Sequence, residues 1–160
     1  SLAEEIRITG SRFVKITGDV LRLDKELDDL GNYNVESLVV EGNRFEQVEG
    51  ALASLYRGGT DESTFGPRLA MTRNVVDHVG QGKRNKRQAA LYLHGVQLTR
   101  IAANEFADSA GIVVEHTVGD PDTEVRGNTF RKVAALKTSE LHAKGPSTVR
   151  YLDNQDERRN

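Results

Sequence analysis

The sequence has no cysteine in its 160 residues, which excludes disulfide bonds, thiolate nucleophiles and zinc–thiolate sites. Both cytosolic and exported proteins can lack cysteine, so this absence leaves the compartment open. Long apolar runs are also missing, and the strongest, residues 111–114, is far too short to span a bilayer. Lysine and arginine number 22 against 24 acidic residues, so no global field favours nucleic acid or an anionic membrane. A polyanionic ligand would need a local positive patch.

A repeat of 24 to 32 residues runs along the whole chain. Its anchor is a serine or asparagine, and in most copies an apolar side chain follows two residues later. Apolar residues also stand three and five positions before most anchors, and this spacing is strand periodicity rather than helical periodicity. The six anchors are Ser11, Asn43, Asn74, Asn104, Asn128 and Asn154.

This repeat predicts an all-β fold, a right-handed parallel β-helix of about five coils. A unit of two or three short strands cannot bury its inner face alone, whereas stacked copies can. The recurring asparagine fits a turn position, where its amide can bond to the neighbouring backbone. An antiparallel sandwich is the alternative, although its hairpins would show turn signals every 8 to 12 residues.

The two ends of the repeat give an expectation about the domain. The first coil is already in register at Ile6, with no capping helix ahead of it, and the first residues contain no recognisable leader. We therefore expect a fragment or domain of a longer β-helical protein. Residues 1–152 would form a single domain, and 153–160 would form a polar C-terminal tail.

Two similar strands precede long excursions and supply aromatic candidates. Alternation with Leu55 and Leu91 inward places Tyr56 and Tyr92 outward on neighbouring coils. Their rings could stack against a sugar, or they could stack on each other and stabilise the sheet.

The only dense basic cluster lies at residues 83–87, and Lys83, Arg84 and Lys86 are its candidate ligand-binding residues. Such a cluster could hold a carboxylated polymer, or it could be a solvated loop. Its glycine spacing does not match a phosphate-binding loop.

The sequence also offers a few candidate metal ligands and functional histidines. Asp61 and Glu62, together with Asp28 and Asp29, could make an oxygen-rich cation site, although their spacing matches no known calcium motif. The histidines lie in different coils, without the spacing of paired ligands. His94 and His116 each follow a strand on successive coils, which could bring them near each other. Together with Arg57, which follows Tyr56 at the start of an excursion, they are further candidate substrate-binding residues.

Several stretches resemble a known family. "VLRLDKELDDLGNYN", "LYRGGTDESTFGP", "GKRNK", "LHGV" and "EHTVGDP" look like the C-terminal β-helix of two-domain alginate lyases of polysaccharide lyase family 6, the group that includes chondroitinase B. The resemblance implies β-elimination on a uronic-acid polymer, in which a cation neutralises the carboxylate, a lysine takes a proton and an arginine assists the leaving oxygen. The resemblance also implies that the catalytic lysine and arginine and the calcium ion belong to an N-terminal β-helix outside this segment.

One departure bears on catalysis. The family arginine stands in an Arg-His-Gly strand end, and the nearest match here is Leu93-His94-Gly95, which has no charge at the first position. We therefore expect a noncatalytic domain without a cofactor of its own, which supports the catalytic helix, mediates dimer contacts or extends the polymer groove.

The alternative is that the segment is itself a lyase, with a site around Arg57, Lys83, Arg84 and His94. The resemblance implies alginate and the N-terminal catalytic β-helix as partners, and it allows a homodimer. It also implies a secreted or periplasmic bacterial location.

Overall fold

The computed structural model describes residues 3–24, 35–58, 67–141 and 148–157. These residues form seventeen β-strands and no helix, so the described part of the chain contains no helix that could cross a membrane. The strands are β1 (Ala3–Thr9), β2 (Arg12–Ile16), β3 (Leu21–Leu23), β4 (Val35–Glu41), β5 (Arg44–Val48), β6 (Ala53–Tyr56), β7 (Arg68–Thr72), β8 (Val75–Val79), β9 (Ala89–His94), β10 (Leu98–Ala102), β11 (Glu105–Ala107), β12 (Gly111–His116), β13 (Asp122–Arg126), β14 (Thr129–Arg131), β15 (Lys137–Glu140), β16 (Thr148–Leu152) and β17 (Gln155–Glu157).

The strands stack into three parallel sheets, which confirms the predicted parallel β-helix. Sheet A has the order β1-β4-β7-β10-β13-β16, sheet B runs from β2 to β17 through β5, β8, β11 and β14, and sheet C has the order β3-β6-β9-β12-β15. Each coil contributes one strand to each sheet, so five coils are complete in the described residues and a sixth supplies β16 and β17. Because β17 pairs with β14, sheet B continues into the segment for which a polar tail is predicted.

The core lies between the three sheets and is built from columns of like residues. Val40, Met71, Ile101 and Val125 stack on sheet A, and each is fully buried. Aromatic rings stack on sheet B, with centroids 5.2 Å apart for Phe13 and Phe45 and 5.0 Å for Phe106 and Phe130. Burial of each such side chain contributes roughly 1.5–3 kcal/mol, which is how stacking makes short strands stable.

The anchors form one continuous column, here called the asparagine ladder, at the corner between sheets A and B. At each of its five steps the backbone N–H of one anchor donates to Oδ1 of the next at 2.9 Å. Each asparagine Nδ2 also donates to a backbone carbonyl of the preceding coil, as Asn74 does to Val40 at 3.0 Å. The side chains of Asn43, Asn74, Asn104 and Asn128 are buried. The predicted turn role of the asparagines is therefore confirmed.

Left-handed backbone conformations accompany the ladder on both sides. The residue before each anchor has a positive φ in every coil, and these residues are Gly10, Gly42, Arg73, Ala103, Gly127 and Asp153. The fourth residue after each of the first five anchors does too, and these are Lys15, Gln47, His78, Asp108 and Lys132. The chain therefore turns at both ends of sheet B by the same backbone geometry in successive coils.

Candidate functional site

The aromatic candidates lie on the outer face of sheet C. The pairing between β6 and β9, however, is shifted by two residues from the pairing that the sequence predicts. Tyr56 pairs with His94, and Ser54 pairs with Tyr92, so the expected alignment of Tyr56 with Tyr92 is wrong. Leu55 lies beside Leu93, and both are in the core. A shift of two residues preserves the inward and outward alternation, so the period of the strand could not distinguish the two registers.

The register brings together four side chains here called the sheet C cluster, Tyr56, Tyr92, His94 and Glu115. Tyr56 stacks on the imidazole of His94 with ring centroids 4.4 Å apart. His94 Nδ1 lies 3.1 Å from Glu115 Oε1, and the Tyr92 hydroxyl donates to the same carboxylate. The guanidinium carbon of Arg87 lies 4.1 Å from the centroid of the Tyr92 ring. The two tyrosines therefore do not stack on each other.

Burial and charge give this cluster a definite electrostatic character. Burial, together with the hydrogen bond to Glu115, raises the pKa of Tyr92 to about 12. Burial alone would raise the pKa of Glu115, but the hydrogen bonds from Tyr92 and His94 outweigh it and lower that pKa. At neutral pH the cluster therefore holds a protonated phenol and an ionised carboxylate, a poor surface for a uronate carboxylate.

Arg57 and His116, two predicted substrate-binding residues, lie inside the solenoid. The Arg57 side chain has no exposed surface, and its neighbour on the next coil is Gly95, where a Cβ atom would lie 3.1 Å from the Arg57 Cβ. His116 is 1% exposed, and its Nε2 lies 3.0 Å from Thr123 Oγ1. His94 points outward from sheet C and His116 inward, so they do not form the histidine pair that the sequence suggested.

The dense basic cluster belongs to a well-fixed loop between β8 and β9. Asn85 Nδ2 donates to the carbonyls of Gly80 and Ala89 at 2.9 and 3.0 Å, which closes the loop on itself. Gly82 lies against Glu49, and a Cβ at Gly82 would come within 2.5 Å of the Glu49 Cβ. Lys83 and Arg84 are therefore presented from a fixed backbone, because the loop is fastened both internally and to the preceding coil.

Lys83 and Arg84 line an open groove of about 960 Å³, here called the basic groove. Lys15, Gln47 and Glu49, which come from earlier coils, also line it, and so does His78. Glu49 is the one acid among its described lining residues, against three lysine or arginine side chains. Lys86, predicted to act with Lys83 and Arg84, is not among these lining residues.

Sequence reasoning missed Lys15, Gln47 and His78 because they are far apart in the chain. Their common feature is that each is the fourth residue after an anchor and has a positive φ. That common offset was the available signal. The candidate cation ligands Asp61 and Glu62, with Asp28 and Asp29, lie outside the described residues.

Comparison with solved structures gives close matches to one enzyme. A structure described as the "PL6 family alginate lyase AlyGC" is 46% identical to this chain with a TM-score of 0.91, and the match covers 96% of this chain and 21% of that one. An arginine-to-alanine mutant of the same enzyme matches at 46% identity and a TM-score of 0.92, over 97% of this chain and 21% of that one.

No protein-family model matches the sequence, and the comparison with curated proteins also gives no match. This chain spans about a fifth of the length of the solved structures that it matches. Nearly all of its residues, however, superimpose on that enzyme with nearly half of them identical. The chain belongs to polysaccharide lyase family 6, as a β-helical domain.

Proposed function

We propose that this chain is the noncatalytic, C-terminal β-helix domain of a lyase that cleaves a uronic-acid polysaccharide by β-elimination, and that it helps to hold the polymer. The match to an alginate lyase supports the reaction class and the substrate class. The basic groove is the observation that carries the binding role.

The charge and shape of the basic groove suit a carboxylated polymer. Lys15, Lys83 and Arg84 all line it, and Lys15 belongs to a different coil from the other two, so successive carboxylates of an extended chain could meet more than one cation. Arginine can bind a carboxylate through two parallel hydrogen bonds, and lysine provides a mobile point charge. Because the groove is open and solvated, such binding would weaken as salt screens the charges.

The residues proposed for a catalytic site on this segment do not offer the groups that β-elimination needs. A base must reach a ring proton and a cation must stabilise the charge that develops. Arg57 is buried, and the buried Leu93 stands where the family strand end has arginine. His94 is engaged by Tyr56 and Glu115, and the raised pKa of Tyr92 makes its phenolate inaccessible at neutral pH. These observations support a noncatalytic role.

Affinity electrophoresis in gels that contain alginate tests the binding role. We expect the chain to be retarded by alginate and not by a neutral polysaccharide. The double variant Lys83→Gln/Arg84→Gln should lose about 5- to 30-fold in affinity if each charge contact contributes roughly 0.5–1 kcal/mol.

The matched control for this test is Arg7→Gln/Arg126→Gln, which removes the same charge from the outer face of sheet A. It should keep wild-type retention. Equal loss in both double variants would mean that net charge, rather than the groove, binds the polymer.

A lyase assay tests the noncatalytic role separately. We expect no ultraviolet-absorbing unsaturated product when the purified chain is incubated with alginate and calcium. Product formation that disappears in Lys83→Gln/Arg84→Gln would instead support the alternative, in which Arg57, Lys83, Arg84 and His94 belong to an active site on this segment.

The context of the domain is part of the same proposal. Calcium would belong to the parent lyase, and the partners would be the N-terminal catalytic β-helix of the same protein and a second copy of the protein. A secreted or periplasmic location would give the enzyme access to its polymer.

A further inference from the structure

A second group of side chains lies where sheet B ends, at the column of left-handed residues. Asp77 and His78 lie in the second half of β8, and Asp108 directly follows β11 on the next coil. Asp77 pairs with Ala107 in the sheet, so His78 and Asp108 occupy adjacent places in that column. One ligand atom from each of the three residues lies within 4.8 Å of the other two.

The charges around this group leave its carboxylates available. Arg12 and Arg44, which come from preceding coils, both bind Glu46. Among the described residues, the Asp77 carboxylate is paired with His78 alone, at 2.8 Å, and the Asp108 carboxylate has no hydrogen bond or ion pair. Asp108 is nevertheless half-buried, so its carboxylate is partly desolvated without a compensating partner.

We propose that Asp77, His78 and Asp108 form a binding site for a divalent transition metal of the Zn²⁺ type. One imidazole nitrogen and two carboxylate oxygens form an accepted donor set for Zn²⁺, in which three protein ligands leave a position for water. Oxygen and nitrogen atoms bound to one Zn²⁺ at roughly 2.0–2.2 Å lie within about 4.4 Å of each other. Small rotations of these solvent-accessible side chains close the remaining gap.

The donor set also distinguishes between metals. Calcium takes roughly six to eight oxygen ligands and has little use for an imidazole nitrogen. The site therefore selects a borderline-soft first-row ion rather than Ca²⁺. His78 also lines the basic groove, so a bound ion would add positive charge to one end of that groove.

Calorimetric titration of the tag-free, chelator-treated chain with Zn²⁺ tests the proposal without any polysaccharide. We expect saturable binding of one ion per chain, and visible absorption bands of a low-symmetry site when Co²⁺ is used instead. His78→Asn and Asp108→Asn should each weaken Zn²⁺ binding by at least the roughly 10- to 100-fold that loss of an outer-shell contact costs. Asparagine tolerates the left-handed conformation, so both variants should fold.

The matched control is Asp153→Asn, which changes another aspartate with a positive φ, here an exposed one far along the chain from the proposed site. It should bind Zn²⁺ like the wild type. Absence of Zn²⁺ binding, equal affinity in all four proteins, or binding of Ca²⁺ in preference to Zn²⁺ would each overturn the proposal. These outcomes are independent of whether the chain binds alginate.

Discussion

At the scale of single residues, the two columns of left-handed residues contain eight of the nine non-glycine residues with a positive φ in the described part of the chain. Glycine adopts a positive φ without a steric cost, and it occupies three of the six positions before the anchors. Arg73, Ala103 and Asp153 occupy the other three, where an L-residue costs roughly 1–2 kcal/mol. The geometry of the coil is therefore imposed on residues that do not prefer it.

Ala103 offers a direct measure of that cost. Its side chain is exposed and its φ is 56°, so Ala103→Gly should relieve backbone strain without opening a cavity. We expect a gain of about 0.5–1 kcal/mol in the free energy of unfolding by urea, after the greater freedom of glycine in the unfolded chain is counted. Ala102→Gly, one residue earlier and inside β10, is the control and should destabilise the protein. A loss of stability in Ala103→Gly would contradict the strain argument.

At the scale of elements, the sheet C cluster connects three neighbouring strands on their outer face, through ring stacking between the first two and hydrogen bonds between the second and third. Tyr56 comes from β6, Tyr92 and His94 from β9, and Glu115 from β12. Glu115 accepts a hydrogen bond from Tyr92 and lies beside His94, so one carboxylate links two strands. The cluster thus stabilises the stacking of coils as well as presenting a surface.

The lowered pKa of Glu115 gives this link a pH dependence. The folded state favours the ionised carboxylate, so its contribution is complete above the ordinary pKa of 4.5 and is lost as pH falls through the lower folded value. Urea midpoints measured between pH 7 and pH 3 should therefore show Glu115→Gln less stable than wild type at pH 7, with the difference shrinking in acid. Glu105→Gln, an exposed glutamate on sheet B, should not show this convergence. A constant difference at every pH would contradict the assigned link.

At the scale of the whole molecule, the asparagine ladder joins every coil to the next. Asn74, in its middle, accepts from the backbone and side chain of Asn43 and donates to Asn104 and Val40. Removal of this amide leaves buried hydrogen-bonding groups on both adjacent coils without a partner. Asn154, by contrast, has a ladder partner on one side only among the described residues.

Alanine substitutions along the ladder should therefore depend on position. We expect Asn74→Ala to lower the free energy of unfolding by about 1–3 kcal/mol, the cost of unsatisfied buried hydrogen-bonding groups. Asn154→Ala should cost clearly less, because its side chain is only half-buried and, among the described residues, it has a ladder partner on one side only. Equal costs, or an unchanged melting temperature in Asn74→Ala, would contradict the assigned role of the ladder.

Sequence reasoning succeeded where a feature repeats and failed where it does not. The anchors and the core columns recur in each coil, so their spacing along the chain is enough to predict their positions in the fold. The register of Tyr56 and Tyr92 could not be predicted, because two frames preserve the same alternation. The charge of Arg57 favours the surface, but its position two residues after the inward Leu55 places it in the interior, where the structure has it. The basic groove could not be predicted from the sequence, because Lys15 and His78 come together with Lys83 only when the coils stack.

The spacing of the ladder has a consequence for how this domain can change. The interval between successive anchors falls from 32 to 24 residues and then rises to 26, while the ladder hydrogen bonds stay at 2.9 Å. All variation in coil length is therefore absorbed at the other two corners, next to sheet C. Doubling the length of a loop there costs only about 0.6 kcal/mol of closure entropy, whereas one extra residue at the ladder would put later coils out of phase. Insertions and deletions can thus reshape one side of the molecule while the opposite edge keeps the fold.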